Sequence, residues 1–237
     1  MKEHVTFSSA GCRVTAGFMA IALGGLVGAL QANAATAETL NRLKESATVF
    51  SEVMAAPDKG IPDDLLQQAH CVVIVPGLKK GAFIVSGQYG RGFLTCRKQA
   101  GWSAPAAIRV EGGGLGFQIG GSETDVVMLV MNTRGADRLM SSQFTLGAEG
   151  EVAAGPVGRN ATAETDAKLS AEMLSWSRSR GVFAGVALKG ATLRADENDN
   201  AELYGRKMST KEVIDSSLPV PEAARPLITM LGRYPPK

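Results

Sequence analysis

The stretch RVEGGGLGFQIGG, residues 109–121, governs how the rest of the chain is read, because its glycines fall on alternate positions. In an extended backbone successive side chains point to opposite faces. Gly112, Gly114, Gly116 and Gly120 then line one face, and Leu115, Phe117 and Ile119 line the other. A strand loses contacts and entropy at each glycine, so a row of them marks a sharp bend or the close approach of another backbone, a helix or a ligand. The stretch predicts a tightly curved sheet. A dinucleotide-binding turn needs G-x-G-x-x-G between a strand and a helix. Here the spacing is G-x-G-x-G-x-x-x-G, and residues 124–131 continue as strand.

Working outward, the chain reads as several short strands on either side of this tract. Residues 71–75 form an unbroken apolar run, CVVIV, expected to be a strand buried on both faces. Pro76-Gly77-Leu78-Lys79-Lys80-Gly81 reads as a turn, and further strands are expected over 82–88, 92–97, 106–110, 113–120 and 125–131. Six short strands in succession predict an antiparallel meander, curved or closed. Residues 132–140 read as a short helix, and 171–178 and 182–193 as a second block of strands split by an Arg180-Gly181 turn. Asp196-Glu197-Asn198-Asp199-Asn200 reads as a polar loop, followed by closing helices over 213–217 and 221–231.

Before the strands, Leu40, Leu43, Ala47, Phe50 and Met54 recur at steps of three and four with Arg42, Lys44, Glu45 and Glu52 between them. That is an amphipathic helix, ended by the Ala56-Pro57-Asp58-Lys59-Gly60 segment. Its apolar stripe suits either packing on a core or lying on a membrane. A second, short helix is expected over 61–69, with Pro62 at its start.

Residues 1–34 read as an export signal: Lys2 and Arg13 supply positive charge, 14–30 is apolar, and Ala32-Asn33-Ala34 fits a small-x-small cleavage site. A retained membrane anchor is the alternative. The apolar run is short for a bilayer span and is interrupted by Thr15, Gly17, Gly24, Gly25 and Gly28. Removal of the first 34 of the 237 residues leaves 203, the size of one domain with a substantial core. It also leaves 23 basic and 22 acidic residues, so any attraction to an anionic surface has to come from local clustering. Nucleic acid is an unsuitable partner in the absence of a long basic run.

Cys71 and Cys96 remain in an exported chain. The even count favours a disulfide. The expected strand order opposes one, since it sets the two cysteines two strands apart, about 10 Å, beyond disulfide reach. Buried free thiols are the alternative.

These segments, in this order, resemble the SYLF domain family. The resemblance rests on Ile61-Pro62 with Leu65-Leu66, Ile74-Val75-Pro76 with Lys79-Lys80-Gly81, Gly87, Gly90 and Gly92, and Gly101-Trp102-Ser103-Ala104-Pro105. It continues with the glycine tract, Gln118 and Gly120, Thr124-Asp125, Gly155-Pro156-Val157-Gly158-Arg159 and Ser175-Trp176-Ser177. Arg180-Gly181-Val182-Phe183-Ala184-Gly185 and Asn200 with Tyr204-Gly205 complete it. The resemblance spans residues 40–231 and implies an α+β fold: a single domain with a strongly curved or closed antiparallel, barrel-like sheet and helices at both ends. It also implies a lipid-binding module with a preference for anionic head groups, phosphoinositides in eukaryotic members, and an actin role in fungal ones. In an exported bacterial member the ligands would be phosphatidylglycerol or cardiolipin. The segment that contributes to membrane contact in some members maps onto residues 40–54.

The candidate lipid-binding cations are Lys79, Lys80, Arg91, Arg97 and Lys98, with Arg42 and Lys44 of the first helix. In the expected meander the Lys79-Lys80 and Arg97-Lys98 turns lie toward the same end of neighbouring strands, where each charge near an anionic membrane adds about 1 kcal/mol. Ordinary solvated turn residues are the competing reading.

Enzyme chemistry finds little support. His70 is the one histidine after the signal, no G-x-S-x-G surrounds any serine, and Cys71 sits in an apolar strand, a poor place for a nucleophile. Asp196, Asn198 and Asn200 imitate the start of a calcium loop, but Ala201 stands where glycine is needed and Lys207 where the closing glutamate belongs. No catalytic residue, metal or cofactor is expected. The expectation is therefore a non-enzymatic protein, periplasmic or peripheral on the envelope membrane, that binds anionic phospholipid. An envelope partner-binding protein with a glycine-lined groove is the alternative, and a hydrolytic enzyme the more distant one.

Overall fold

The apolar run after His70 becomes the central strand of the sheet. In a computed structural model of the chain, residues 20–56, 60–82, 85–115, 120–141, 143–148, 152–156, 171–179, 182–185 and 190–236 are described. Two compact units are distinguished, Met1–Ala35 and Thr36–Lys237, and the sheet with its packed helices belongs to the second.

Strand β1 (Cys71–Ala82) lies between β2 (Val85–Lys98) and β5 (Gly120–Val130). Outward from β2 come β4 (Ala106–Leu115), β10 (Thr192–Ala195) and β6 (Gln143–Thr145), with the short β3 (Gly101–Trp102) paired to the end of β2. Outward from β5 come β8 (Met173–Ser179) and β7 (Val152–Ala154), with β9 (Val182–Gly185) also paired to β8. The result is a strongly curled sheet, a half-barrel with helices at both ends, as expected. Two details differ. β5 returns to pair with β1 rather than with β4, so the strands are not a meander, and β7 runs parallel to β8.

The segment 76–81 is not a turn. Pro76 and Gly77 form a bulge inside β1: Val75 pairs with Val126 and Leu78 with Thr124, one residue more on β1 than on β5. Gly77 takes φ 59°, and its N–H donates to Asp125 Oδ1 at 2.9 Å. Proline and glycine, which usually punctuate strands, here bend one without ending it. β2 likewise runs unbroken through Gly90 and Gly92. The three expected strands are two long ones, and Cys71 lies directly opposite Cys96. The pair forms a disulfide with Cα atoms 4.0 Å apart, which replaces the expected two-strand separation.

β1 is buried on both faces, as its sequence requires. Val73, Val75 and Leu78 join a core with Leu94, Val110, Met128 and Phe144, closed by α3 (Thr133–Leu139) and α5 (Thr210–Asp215). Val72 and Ile74 face a second core with Trp176, covered by residues 47–54 of α1 (Ala20–Ala55), by α2 (Asp63–Gln68) and by α6 (Arg225–Leu231). Leu43, Phe50 and Val53 of α1 have no more than trace exposure. The apolar stripe of this helix is thus packed on the core.

The polar segment at 196–200 is the start of a helix, α4 (Glu197–Tyr204), not a loop. The Asp196 side chain accepts the Asp199 N–H as an N-cap, and Gly205 in the left-handed region closes the helix. A short 3-10 turn, Glu222–Ala224, precedes α6. Several sequence expectations fall wholly or partly outside the described residues: residues 1–19 of the 1–34 export signal, 57–59 of the 56–60 turn, Gly116, Phe117, Gln118 and Ile119, 157–159 of the 155–159 motif, and Arg180-Gly181.

Candidate functional site

Strand register arranges the polar surface in rows. Across β5, β1, β2 and β4, Gly121, Gly81, Gly87 and Gly113 are neighbours in one line. A Cβ added at Gly81 or Gly87 would meet nothing within 4 Å, so this part of the sheet is open on that face. Two residues along, the next row is Glu123, Lys79, Tyr89 and Glu111. A third row, across β2, β4 and β10, is Arg91, Arg109 and Arg194. All three rows occur on the face that carries α1, because Phe93 and Ala107, the next residues of the same parity, pack with Leu43.

The second row contains Tyr89, the large hydrophobic side chain left exposed among the described residues, at 47%. Lys79, its register partner, is exposed as well. Arg91 Nε donates to Tyr89 Oη at 2.9 Å, which holds the ring at the surface.

The seven predicted cations separate into two groups. Arg42, Arg91 and Arg97 have internal duties. Arg42 is buried and binds Asp199 Oδ2 and Glu38 Oε1, both at 2.5 Å. Arg91 lies 3.3 Å from Asp196 Oδ2 and 3.4 Å from Asp199 Oδ1. Together they tie α1 and β2 to the start of α4. Burial, then the neighbouring Asp196, pushes the Asp199 carboxyl above its ordinary range despite the opposing pull of Arg42 and Arg91. Arg97 donates to the carbonyls of Ala69, Leu66 and Tyr234 at 2.8 to 2.9 Å and stacks 4.4 Å from the Trp102 ring centre. Burial holds its guanidinium below the usual arginine value.

Lys44, Lys79 and Lys98 are exposed, and Lys80 is half-buried, with burial drawing its ammonium below the usual lysine range. The two basic segments do not meet. Lys79 pairs with Tyr89, whereas Lys98 lies at the far end of β2 beyond Cys96, about 30 Å away by strand rise. The expected adjacency came from reading β1 and β2 as three strands. The sequence reading also missed Tyr89, although its place among Gly87, Gly90 and Gly92 put an aromatic ring in a strand with few side chains around it.

Asp196 and Asn200 do not form a calcium loop. Asp196 caps α4, and Asn200 is consumed internally: its Oδ1 accepts the Ala107 N–H at 2.7 Å and its Nδ2 donates to the Met208 carbonyl at 2.8 Å. Among the described residues no cluster of histidine, cysteine and carboxylate side chains is suited to a metal ion, and no helix is long and apolar enough to cross a membrane.

Comparison with known proteins gives consistent matches. Residues 111–234 match the family model described as Ysc84, Las17-binding protein actin regulator. An SH3 domain-containing protein of Schizosaccharomyces pombe is 38% identical over 177 residues, covering 73% of this chain and 41% of its own length. Protein YSC84 of Saccharomyces cerevisiae is 36% identical over 179 residues, 73% of this chain and 38% of its own length. The SH3 domain-containing YSC84-like protein 1 of Homo sapiens is 32% identical over 192 residues, 79% of this chain and 56% of its own length. The chain thus spans about two fifths to somewhat over half of these relatives.

Proposed function

The chain belongs to the Ysc84 family, which is also the SYLF family, and from that premise we propose that it binds anionic phospholipid surfaces peripherally and without catalysis. The observation that carries this reading is the exposed Lys79 and Tyr89 pair beside the bare glycine row. A tyrosine is amphipathic and partitions to the boundary between head groups and acyl chains, while a lysine beside it keeps its charge at the phosphate level. The open glycines allow a membrane surface to approach the sheet without displacing side chains. Lys44 and Lys98 add charge elsewhere, and Arg42, Arg91 and Arg97 act by holding the frame. The whole protein is nearly neutral, so the attraction is local and salt-sensitive.

Export to a bacterial envelope is part of the same proposal. It is supported by the N-terminal sequence pattern and by the Cys71–Cys96 disulfide, a bond suited to an oxidising compartment. An actin-regulating role, which the family description names, fits poorly with that location.

Co-sedimentation with phosphatidylcholine vesicles, with and without phosphatidylglycerol, tests the reading. The protein is expected to pellet with the anionic vesicles at low salt and to be released as salt rises. Tyr89→Ala with Lys79→Glu is expected to remove the binding without moving the melting temperature by more than a few degrees. Equal binding to both vesicle types at high salt would overturn the electrostatic part of the proposal.

A further inference from the structure

Beside the arginine row, β4, β10 and the start of α4 enclose a cleft of about 360 Å³ lined by Arg109, Arg194, Lys207, Glu197, Asn198 and Ser209. Its volume is that of a small-ligand site. Its cations differ from Arg42 and Arg97 in one respect: their donors are not used up.

Arg109 Nε approaches Glu111 Oε1 to 2.8 Å but makes no hydrogen bond there. Arg194 Nε reaches Glu111 Oε2 only at 3.6 Å. Lys207 is exposed and, among the described residues, has neither an ion pair nor a hydrogen-bond partner, and the same is true of the Asn198 amide. Ser209 is occupied, since its hydroxyl donates to Glu212 Oε2 at 2.9 Å and accepts the Glu212 N–H. The charged groups at the cleft are thus Arg109, Arg194 and Lys207 against Glu197 and the bridging Glu111, an excess of one positive charge with unfilled N–H donors around it. Arginine forks and a lysine ammonium are the groups that suit a phosphate, two by geometry and one as a point charge.

We propose that this cleft binds a single phosphate group bearing a small polar substituent, held by Arg109, Arg194 and Lys207 with Asn198 at its edge. Glu111 holds the two arginines in place when the cleft is empty and competes with the phosphate for them. The cleft lies next to the Tyr89 row, because Glu111, which pairs with the lining Arg109 and Arg194, is the register partner of Tyr89. A phosphate on a lipid head group therefore reaches it from the surface assigned above to the membrane, and for a lipid ligand the inference rests on that assignment. A free phosphate ester would satisfy the same side chains.

The test uses glycerol 1-phosphate as the soluble probe, followed by calorimetry or NMR shifts, and phosphatidylglycerol-containing vesicles as the membrane probe. The variant is Arg194→Ala with Lys207→Ala, and the charge-matched control is Arg225→Ala with Arg233→Ala, two exposed residues of and just after α6. The cleft variant is expected to weaken binding by about tenfold or more, from the loss of two charges, and the control to change it far less. Glu111→Gln is expected to tighten binding, because it removes the competitor while keeping the side-chain shape.

Loss with both probes, or with vesicles alone, supports a lipid head group as the ligand. Saturable binding of glycerol 1-phosphate that the cleft variant abolishes, with no vesicle binding by the parent, supports a soluble phosphate ester and counts against the membrane reading alone. Binding of both probes by the cleft variant as by the parent overturns the cleft and leaves the membrane reading standing. Equal losses in variant and control overturn it too, and failure of the parent to bind either probe overturns both.

Discussion

Gly92 passes so close to Ile74 that a Cβ on the glycine would lie 2.1 Å from the Ile74 carbonyl oxygen. This is where β2 crosses the approach to the β1 bulge, and only hydrogen fits between the backbones. Gly87, five residues earlier on the same strand, has nothing within 4 Å of that position. Gly92→Ala is therefore expected to cost about 1–3 kcal/mol or more, as overpacking does, while Gly87→Ala stays within about 0.5 kcal/mol of the parent. Denaturant melts of the two variants check this. Equal effects would mean that the curl does not depend on the close approach.

Arg97 is expected to behave as a structural residue. Its guanidinium satisfies three carbonyls from two segments, the end of α2 and the stretch after α6, and lies over Trp102, an arrangement that the single point charge of lysine does not reproduce. Arg97→Lys should lose about 1–3 kcal/mol by leaving part-buried carbonyls unpaired, and Arg97→Glu considerably more. Exposed Lys98→Glu should leave the melt nearly unchanged. Reversal of Arg97 that spares the melt but removes vesicle binding would restore it as a lipid contact.

What the chain discloses of itself follows from which signals are local. The curl was legible because alternate glycines in residues 109–121 report on side-chain clearance directly, and β1 because CVVIV is apolar at every position. The length of the strands was not legible. Pro76-Gly77 and Gly90 to Gly92 carry the residues of turns, and only the pairing partners, Asp125 for the bulge and Ile74 for Gly92, turn them into bends within strands. The candidate cations suffered from the same limit. Sequence identifies Arg42, Arg91 and Arg97 as charges but not as partners of Asp196, Asp199 and main-chain carbonyls remote in the chain. The acidic cluster at 196–200 did carry a legible sign, an aspartate N-cap with an acidic first turn, which its calcium-like spacing obscured.

The raised Asp199 carboxyl makes a prediction about pH. Burial favours the protonated form in the folded state, so the folded protein retains a proton that the unfolded chain has released. The contribution of this group is present in full below the ordinary carboxylate range and is lost as pH rises through the elevated folded value. Asp199→Asn cannot titrate. The stability of the parent relative to this variant is expected to fall as pH rises across that window, measured by urea unfolding at several pH values. A difference that grows with pH would mean that Arg42 and Arg91 outweigh the burial.

The Cys71–Cys96 disulfide closes a loop with a sequence separation of 25, and both residues lie in the core, at 1% and 5% exposure. Cross-linking mainly restricts the unfolded chain, and a loop of this length is worth about 3 kcal/mol. The paired cysteines sit opposite each other on the two central strands, so the sheet register is already set by the surrounding ladder without the bond. Cys71→Ala with Cys96→Ala should therefore fold to the same secondary structure with about 2–4 kcal/mol less stability. A reductant should leave the native protein oxidised until denaturant exposes the bond, because the core keeps the thiol reagent out. Intact mass before and after reduction, with and without denaturant, reads this directly. Ready reduction of the folded protein would mean that this edge of the core opens locally, and an unchanged melt in the double variant would mean that the unfolded chain is already held compact near these residues.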